Sequence, residues 1–487
     1  MKFYGRSDFS VFASPVVSSD DTSVLYNVLT TFDDDTMMYN YTLVNGIAYL
    51  QSKPRNSDSS PPSVQCLRSE QSDIPPINSI VSALNDAVPV SSLSGSMGDT
   101  ITCDSKIIYK VLVNGFNFAV CVSKNLSFKM YGSDVDIEVE YLNTRVDIVA
   151  PILTQGIIDS DFKCIVDVSS SPVSSIGRSL LTGKTVPKNS RKLFSLMSFL
   201  FDEKTSCSCK STPRPCIFIH GLNVKGETSK TVNSLPYWGD IAKHVPCCLS
   251  VKFAHLDTIK NSWTQKDQQQ KACSCALSVS KSSTNTTIKN TIIVTHSMGT
   301  LILAGAVGYG RCKVDSSSTW VSTAAPLLGS MGSDFVQKAC AGKSNVILKA
   351  LTEWEHQCPP SIGMKSLSYQ GGSYSSSELN EAYKIVQEVY RTNVSAAMCS
   401  DNFSGLLTSY QAKFWVLGAI LPHKSSQNDG TVEYKSCSLG VPESSFRNHY
   451  TSRFYRTQLN HYDMKFRGGD AILNKAKMPV KWLECLL

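Results

Sequence analysis

Residues 291–300 read TIIVTHSMGT, and no other stretch of the chain constrains the fold as much. The run from Thr291 to Val294 is apolar and β-branched, the pattern of a short buried strand. It breaks at Thr295-His296-Ser297-Met298-Gly299. The small-residue run at 300–310 (TLILAGAVGYG) then has the composition of a helix packed closely on a sheet. A strand, a sharp turn centred on a serine, and a helix is the setting that holds a serine hydroxyl clear of both elements as a nucleophile. Gly299 leaves space where the start of the helix crosses the strand. The glycine usual two residues before such a serine is Thr295 here, and Thr300 stands where a further glycine is common. Alone, the string is equally well explained by an ordinary strand-helix loop.

A second motif lies upstream. Residues 215–222 (PCIFIHGL) form another short apolar run that ends in His220-Gly221-Leu222. Acyl transfer needs two backbone N–H groups aimed at the oxygen on which negative charge develops. The residue after the nucleophile, Met298, supplies one. The loop after an earlier strand supplies the other, which points to Leu222. Gly221 permits the backbone turn that exposes that group.

An acid and a histidine should follow in the order Ser, Asp, His. The apolar run FWVLGAIL at 414–421 reads as a strand, and the polar loop after it carries Asp429-Gly430. An aspartate at a turn beyond a strand end is placed to orient an imidazole, although Asp-Gly is also a common turn dipeptide. Two histidines lie beyond Asp429. His461 sits in a polar stop, LNHYD, and is preferred to His449, which lies in a charged run. His296 is excluded as the base because adjacent side chains on a sharp turn point in different directions.

From about residue 213 onward the chain resembles an α/β-hydrolase of the lipase and esterase type. The resemblance rests on His220-Gly221-Leu222, on His296-Ser297-Met298-Gly299 and on the loop AAPLLGS at 324–330. It also rests on Asn428-Asp429-Gly430-Thr431-Val432 and on Asn460-His461-Tyr462-Asp463. It implies a mostly parallel sheet with helices on both faces, and a Ser297, His461 and Asp429 triad with Leu222 and Met298 as oxyanion donors. It also implies a helical insert lining the substrate cleft, and it offers Asp463, two residues past the histidine, as a calcium ligand; a capping or solvated aspartate is the simpler reading there. No other cofactor is expected.

Composition sets the wider frame. A chain of 487 residues exceeds one ordinary core, so two or more domains are expected. The formal charge is +7, and lysine and arginine are scattered without aromatic interleaving, which argues against a nucleic-acid partner. The 17 cysteines include no C-x-x-C pair and read as disulfides of an oxidising compartment, with one thiol left over. Glycosylation tripeptides begin at Asn40, Asn125, Asn285, Asn393 and Asn402 and point the same way. A secreted or cell-surface location is therefore expected, with no signal peptide visible at the start of this chain and no bilayer-spanning run.

Residues 1–165 read as a β-rich, sandwich-like accessory domain. Asn45-Gly46 and Asn114-Gly115 each separate two strand-like runs, a strong hairpin signal. Cys66, Cys103, Cys121 and Cys164 are available as staples, and the Pro- and Ser-rich stretch at 52–63 reads as a loop. Residues 166–212 read as a Ser-rich linker whose apolar segment at 193–201 (LFSLMSFLF) docks on a core or meets lipid. Residues 213–487 form the hydrolase domain, with an insert at 332–413 carrying a helix capped by Ser377. Its apolar face comprises Leu379, Ala382, Tyr383, Val386, Val389 and Tyr390.

Two functions follow. One is a secreted ester hydrolase acting on a lipid or other acyl ester, with peripheral contact at a membrane or lipid interface; deacylation of an inositol lipid anchor and acyl transfer are variants of it. The other is a non-catalytic binding protein of a cell surface or wall on the same scaffold. The presence of both a nucleophile and a histidine favours the enzyme.

Overall fold

The computed structural model describes residues 10–20, 22–33, 37–55, 62–67, 76–90, 103, 108–122, 127–132, 135–142, 146–152, 164, 166, 168–182, 207–341, 358–406, 408, 410, 411, 414, 417, 418, 421–471 and 474–487. The apolar segment at 193–201, residues 56–61 of the stretch read as a loop at 52–63, and residues 342–357 of the insert lie outside them, while residues 52–54 and 63 of that stretch belong to strands rather than a loop. The chain divides into two compact units, Met1–Thr205 with Ile472–Asn474, and Ser206–Ala471 with Lys475–Leu487.

The first unit holds two antiparallel sheets. One runs in chain order through β1 (Val11–Val17), β2 (Ser23–Asp33), β3 (Met37–Val44), β4 (Ile47–Pro54) and β5 (Ser63–Cys66). The other runs through β6 (Val88–Val90), β7 (Ile108–Val113), β8 (Phe116–Val122), β9 (Phe128–Gly132) and β10 (Asp136–Val139). A short β11 (Ser171–Pro172) adds to the edge of β2. The two Asn-Gly pairs turn β3 into β4 and β7 into β8. Both residues of each pair have positive φ, 52° and 81° at Asn45-Gly46 and 49° and 82° at Asn114-Gly115. That conformation matches the right-handed twist of the flanking strands. Cys66 bonds to Cys164 and Cys103 to Cys121.

One element packs on both sheets, the helix α1 (Ile77–Leu84). It packs on β2 and β11 of one sheet, on β7 of the other, and on a second helix, α2 (Ser175–Thr182). Ile80, Val81 and Leu84 bury its apolar face. Asn78 secures it to β2, accepting from the Tyr26 N–H at 2.8 Å and donating to the Tyr26 carbonyl at 3.2 Å.

The second unit is built on a seven-stranded sheet whose strands pair only in parallel. Its order is β13 (Cys248–Ala254), β12 (Arg214–Ile219), β15 (Ile292–His296), β17 (Thr319–Thr323), β18 (Val394–Ser400), β20 (Phe454–Thr457) and β19 (Phe446–Arg447). A separate parallel pair joins β14 (Thr287–Ile288) and β16 (Lys313–Val314). Strands covered on both faces carry nearly continuous apolar runs, and β15 is buried at all five positions, its polar Thr295 and His296 at the carboxyl end. Ile217, Ile219 and Ile293 share one buried cluster with helices α3 (Lys266–Ser278), α4 (Met298–Gly308) and α6 (Ser377–Asn393). Phe218 and Tyr455 point the other way by strand alternation. There they meet Trp238, from a 3₁₀ turn, and Trp482, from the C-terminal helix α7 (Pro479–Cys485).

Three expectations need correction here. The run FWVLGAIL is not a strand. Where it is described it is helical, with the Phe414 N–H bonded to the Tyr410 carbonyl at 3.1 Å and the Leu421 N–H to the Leu417 carbonyl at 3.0 Å. Phe414, Leu417 and Leu421 are spaced for one helical face and pack together against Phe335 of helix α5 (Met331–Cys340) and against Tyr462. The cap of α6 is Ser376 rather than Ser377; its side chain accepts from the Leu379 N–H at 3.2 Å. Within the insert at 332–413, α6 itself does not line the cleft: it packs on α4 and feeds β18, so it is the crossover that carries the chain from β17 to the next parallel strand, whereas Met364, Leu367 and Tyr410 of the same stretch do line the cavity.

Candidate active site

The carboxyl ends of the parallel strands carry the site. Strand β15 lies between β12 and β17 and ends at His296. Ser297 follows with φ 54° and ψ −129°, a left-handed backbone that a non-glycine residue adopts only when its surroundings impose it. Those surroundings are identifiable. The Ser297 N–H donates to the Thr323 carbonyl of β17 at 2.9 Å, and its carbonyl accepts from Thr300 at 3.0 Å as α4 begins. A Cβ on Gly299 would lie 2.4 Å from the Ile219 carbonyl oxygen and 2.5 Å from that of His220, so only glycine lets the helix start pass that strand end.

The two departures from the common motif hold each other. Thr295 Oγ1 and Thr300 Oγ1 are 2.9 Å apart. Trp320 Nε1 donates to Thr295 Oγ1 at 2.9 Å, and Thr300 Oγ1 lies 3.1 Å from Ser322 Oγ. Hydroxyls in place of hydrogens thus give a satisfied polar cluster beneath the elbow.

The chain brings Ser297, His461 and Asp429 together in one hydrogen-bonded row. His461 Nε2 is 2.9 Å from Ser297 Oγ, and His461 Nδ1 is 2.7 Å from Asp429 Oδ2. A carboxylate only accepts, so Nδ1 carries the proton and Nε2 is free to accept from the serine. Asp429 is buried, and its other oxygen accepts from the N–H groups of Thr431 at 2.9 Å and Val432 at 2.7 Å. The backbones are joined too, the His461 N–H donating to the Asp429 carbonyl at 2.8 Å.

Two further ties fix these loops. Ser330 Oγ donates to the Thr431 carbonyl at 2.6 Å, which links the loop at 326–330 to the Asp429 loop. The disulfide Cys399–Cys437 fastens the short helix beyond Asp429 to β18. His449 is placed elsewhere, with its ring 2.8 Å from Thr451 Oγ1 and stacked on Tyr450.

A second histidine beside the serine has a different task. His296 Nε2–H donates to the His461 carbonyl at 3.0 Å, since a carbonyl only accepts. Its Nδ1 therefore accepts from Tyr237 Oη–H at 2.6 Å, and Tyr237 Oη in turn accepts from the Gly221 N–H at 3.0 Å. This chain ties the turns after β12, β15 and β20 to one another. Burial, with the neighbouring His461 and Lys465, holds the His296 pKa well below its ordinary value, so its ring is neutral. Burial likewise takes His220 down to about 4; its Nε2 accepts from the Leu256 N–H at 3.1 Å. Tyr237 had no sequence signal beyond an aromatic residue in a loop.

The tyrosine bond also takes the Gly221 N–H out of play. Among the described residues, the backbone N–H groups of Leu222 and Met298 have no hydrogen-bond acceptor. A cavity of about 360 Å³ opens at the serine, within the range of small-molecule sites. Ser297, His296 and His461 line it, with Leu222, Pro326, Met364, Leu367, Phe414 and Val432 as an apolar wall. Lys465 and the rings of Tyr237, Tyr410 and Tyr462 also line it, as do the polar side chains of Asn223, Ser330, Ser333 and Thr431.

Asp463 does not fit a calcium ion. It is fully buried, its Oδ2 accepts from the Leu406 N–H at 2.7 Å, and its own N–H donates to Asn460 Oδ1 at 3.0 Å. Burial is the largest influence on it and raises its pKa to about 7, while the charges of Lys477 and Lys465 act in the opposite sense. The charges of Lys477 and Lys465 compete with a cation there, and no cluster of three His, Cys, Asp or Glu suited to a metal occurs among the described residues, although Asp463 Oδ1 itself has no hydrogen-bond partner. Asp463 instead pins the turn that carries His461.

No protein-family model matches the chain, and no curated protein matches it. Solved structures do. A lipase from Staphylococcus hyicus is similar at 12% identity and a TM-score of 0.33, over 56% of this chain and 95% of that one. Haloalkane dehalogenase DbeA from Bradyrhizobium elkani USDA94 is similar at 9% identity and a TM-score of 0.26, over 42% of this chain and 79% of that one. Both have the α/β-hydrolase fold.

Proposed function

We propose that the second unit is an α/β-hydrolase and that the protein is a serine ester hydrolase acting on acyl esters of the lipid type. The observation that carries this reading is the row Asp429, His461, Ser297 at the carboxyl ends of the parallel strands, with the unengaged N–H groups of Leu222 and Met298 on the turns beside it. Serine hydroxyl is a weak nucleophile at neutral pH, so His461 Nε2 takes its proton as Oγ attacks the ester carbonyl carbon. Asp429 holds the imidazole tautomer and stabilises the imidazolium that forms. The Leu222 and Met298 N–H groups receive the oxyanion of the tetrahedral intermediate. His461 then gives the proton to the departing alcohol oxygen, leaving an acyl group on Ser297. Water, deprotonated by His461, attacks that acyl group and releases the acid. The apolar wall of the cavity suits an acyl chain.

Sixteen of the seventeen cysteines are paired in eight disulfides, and the remaining one, Cys275, is buried. That pairing supports an oxidising, extracellular setting. No helix among the described residues is long and apolar enough to cross a membrane.

A fluorophosphonate probe tests the reading. Labelling at Ser297 that is lost in Ser297→Ala and His461→Ala, together with hydrolysis of p-nitrophenyl esters, is the expected result. An unlabelled Ser297, with or without a detergent or lipid interface present, would favour a binding protein on a hydrolase scaffold.

A further inference from the structure

Lys465 lies four residues beyond His461, on the same turn, and lines the same cavity. Its Nζ sits 3.7 Å from the centre of the Tyr462 ring and 4.5 Å from that of Tyr237. Tyr410 stacks on the far side of Tyr462, with centroids 3.7 Å apart, so the ammonium ends an aromatic ladder at the cavity wall. Among the described residues no hydrogen bond or ion pair engages Nζ. Among the described residues it is also the only lysine or arginine lining the cavity, and no aspartate or glutamate among them lines it. The nearby carboxylate, Asp463, is wholly buried; its Oδ2 accepts from the Leu406 N–H, its Oδ1 makes no hydrogen bond to Lys465, and Arg467 opposes its charge influence.

An ammonium withdrawn from water is costly unless it is paired. Two ring faces offset part of that cost. They leave the cavity-facing side of the charge without a counter-ion. A structural lysine would bring a carboxylate with it; this one faces the space a substrate fills. The reaction fixes which part of the substrate lies there. His461 must protonate the departing alcohol oxygen, so the alcohol portion of the ester lies on the His461 side, the side from which Lys465 projects.

We propose that Lys465 selects acyl esters whose alcohol portion carries an anionic group, a phosphate or a carboxylate, which pairs with its ammonium as the ester reaches Ser297. This rests on the ester-hydrolase reading given above. Lys465 is a specificity residue in it, not a member of the triad. A lysine suits the task because it offers a point charge with three rotatable donors to clustered anionic oxygens. Burial holds its pKa down at about 7, which strengthens the match: a bound anion draws the proton back and is itself gripped more firmly.

The test compares three esters of one acyl chain: a 1-acylglycerol, the corresponding 1-acylglycerol 3-phosphate, and the acyl ester of 3-hydroxypropionate. The expected result is a kcat/KM at least about tenfold higher for one or both anionic esters, and the better of the two names the group. Lys465→Met should cut the ratio of anionic to neutral kcat/KM by about tenfold or more, and Lys465→Arg should retain most of it. A wild-type protein without the preference would overturn the proposal. So would a Lys465→Met protein in which all three substrates fall together, the mark of a merely structural lysine. Fluorophosphonate labelling of Ser297 in each variant reports an intact site. Failure of this proposal is then a labelled enzyme that cleaves all three esters alike, whereas failure of the ester-hydrolase reading is an unlabelled protein that cleaves none.

Discussion

The two units differ in how far along the chain their paired strands lie. In the first unit the sheets follow chain order from β1 to β5 and from β6 to β10, with only β11 returning from a distance. In the second, β12 pairs with both β13 and β15, and β18 with β20, so most ladders bridge segments separated by helices and long loops. Antiparallel neighbours need only a turn, while parallel neighbours need a crossover. The local arrangement gives hairpins that a few residues specify. The non-local one gathers the ends of several strands at one place, and there the serine, histidine and carboxylate meet.

The largest effect that would sharpen this contrast is loss of the row itself. Ser297→Ala should lower kcat by about 10⁴- to 10⁶-fold, and Asp429→Asn by about 10⁴-fold, with the fold retained. Steady-state hydrolysis of a p-nitrophenyl ester alongside circular dichroism separates catalysis from folding. Retention of more than a tenth of the activity in either variant would show that the row is not the catalytic one.

Gly299→Ala tests the packing under the elbow. Its new methyl group would meet backbone oxygens of Ile219 and His220, atoms that cannot swing aside. A loss of about 3 kcal/mol in denaturant unfolding is expected. A protein as stable as the parent would mean that the strand and helix approach less closely than the geometry requires.

Tyr237→Phe removes the hydroxyl between Gly221 and His296 and strands two buried polar groups. A cost of about 1–3 kcal/mol is expected. Activity should also fall about tenfold, because the turn bearing Leu222 loses its tie to the turn bearing Ser297. Stability that falls while activity holds would make Tyr237 a packing residue only.

In the first unit, Gly115→Val places a β-branched residue at φ 82°. It should reduce amide protection across β7 and β8 and cost that unit about 1–2 kcal/mol, while Ser297 labels at its original rate. Slower labelling would break the comparison by showing the two units to be energetically coupled.

The smallest effect is one of pH. Charged groups acting on Lys465 are Arg467, which lowers its pKa, and Asp463, which raises it. His296, across the cavity, is neutral, and Tyr237 and Tyr462 present ring faces with their own ionisation pushed upward by burial. Lysine is cationic below its pKa, so preference for an anionic ester should be largest below about pH 7. It should fade severalfold as pH rises through that value, when followed as a ratio of kcat/KM values. A ratio flat from pH 6 to 9 would count against a titrating Lys465.

Much of this was legible residue by residue. The Asn-Gly turns announced their hairpins because type I′ geometry asks for those residues. Ser297 and Leu222 follow from short motifs at the ends of apolar runs, Asp429 from an Asp-Gly turn in a polar loop, and His461 from a polar stop preferred to the charged run of His449. Other features were not legible. FWVLGAIL is apolar at every position except one glycine, so periodicity could not separate strand from helix; the spacing of Phe414, Leu417 and Leu421 acquires meaning only once Phe335 and Tyr462 are seen against it. Helix α6 was read as helix correctly, but its place as a crossover rather than a cover over the cleft depends on β18 joining the central sheet. Tyr237 and Lys465 stand in loops, where no repeating pattern marks a residue.

The Asn-Gly turns, the glycine after Met298 and the residue types of the row follow from the order of amino acids alone, because each depends on backbone freedom or side-chain chemistry within a few positions. Only the tertiary structure decided that Tyr237 would link three turns, that Thr295 and Thr300 would satisfy each other, and that Lys465 would face the cavity without a carboxylate. Those relations join residues up to 165 positions apart, as His296 and His461 are, and they exist only where the parallel sheet brings its strand ends together.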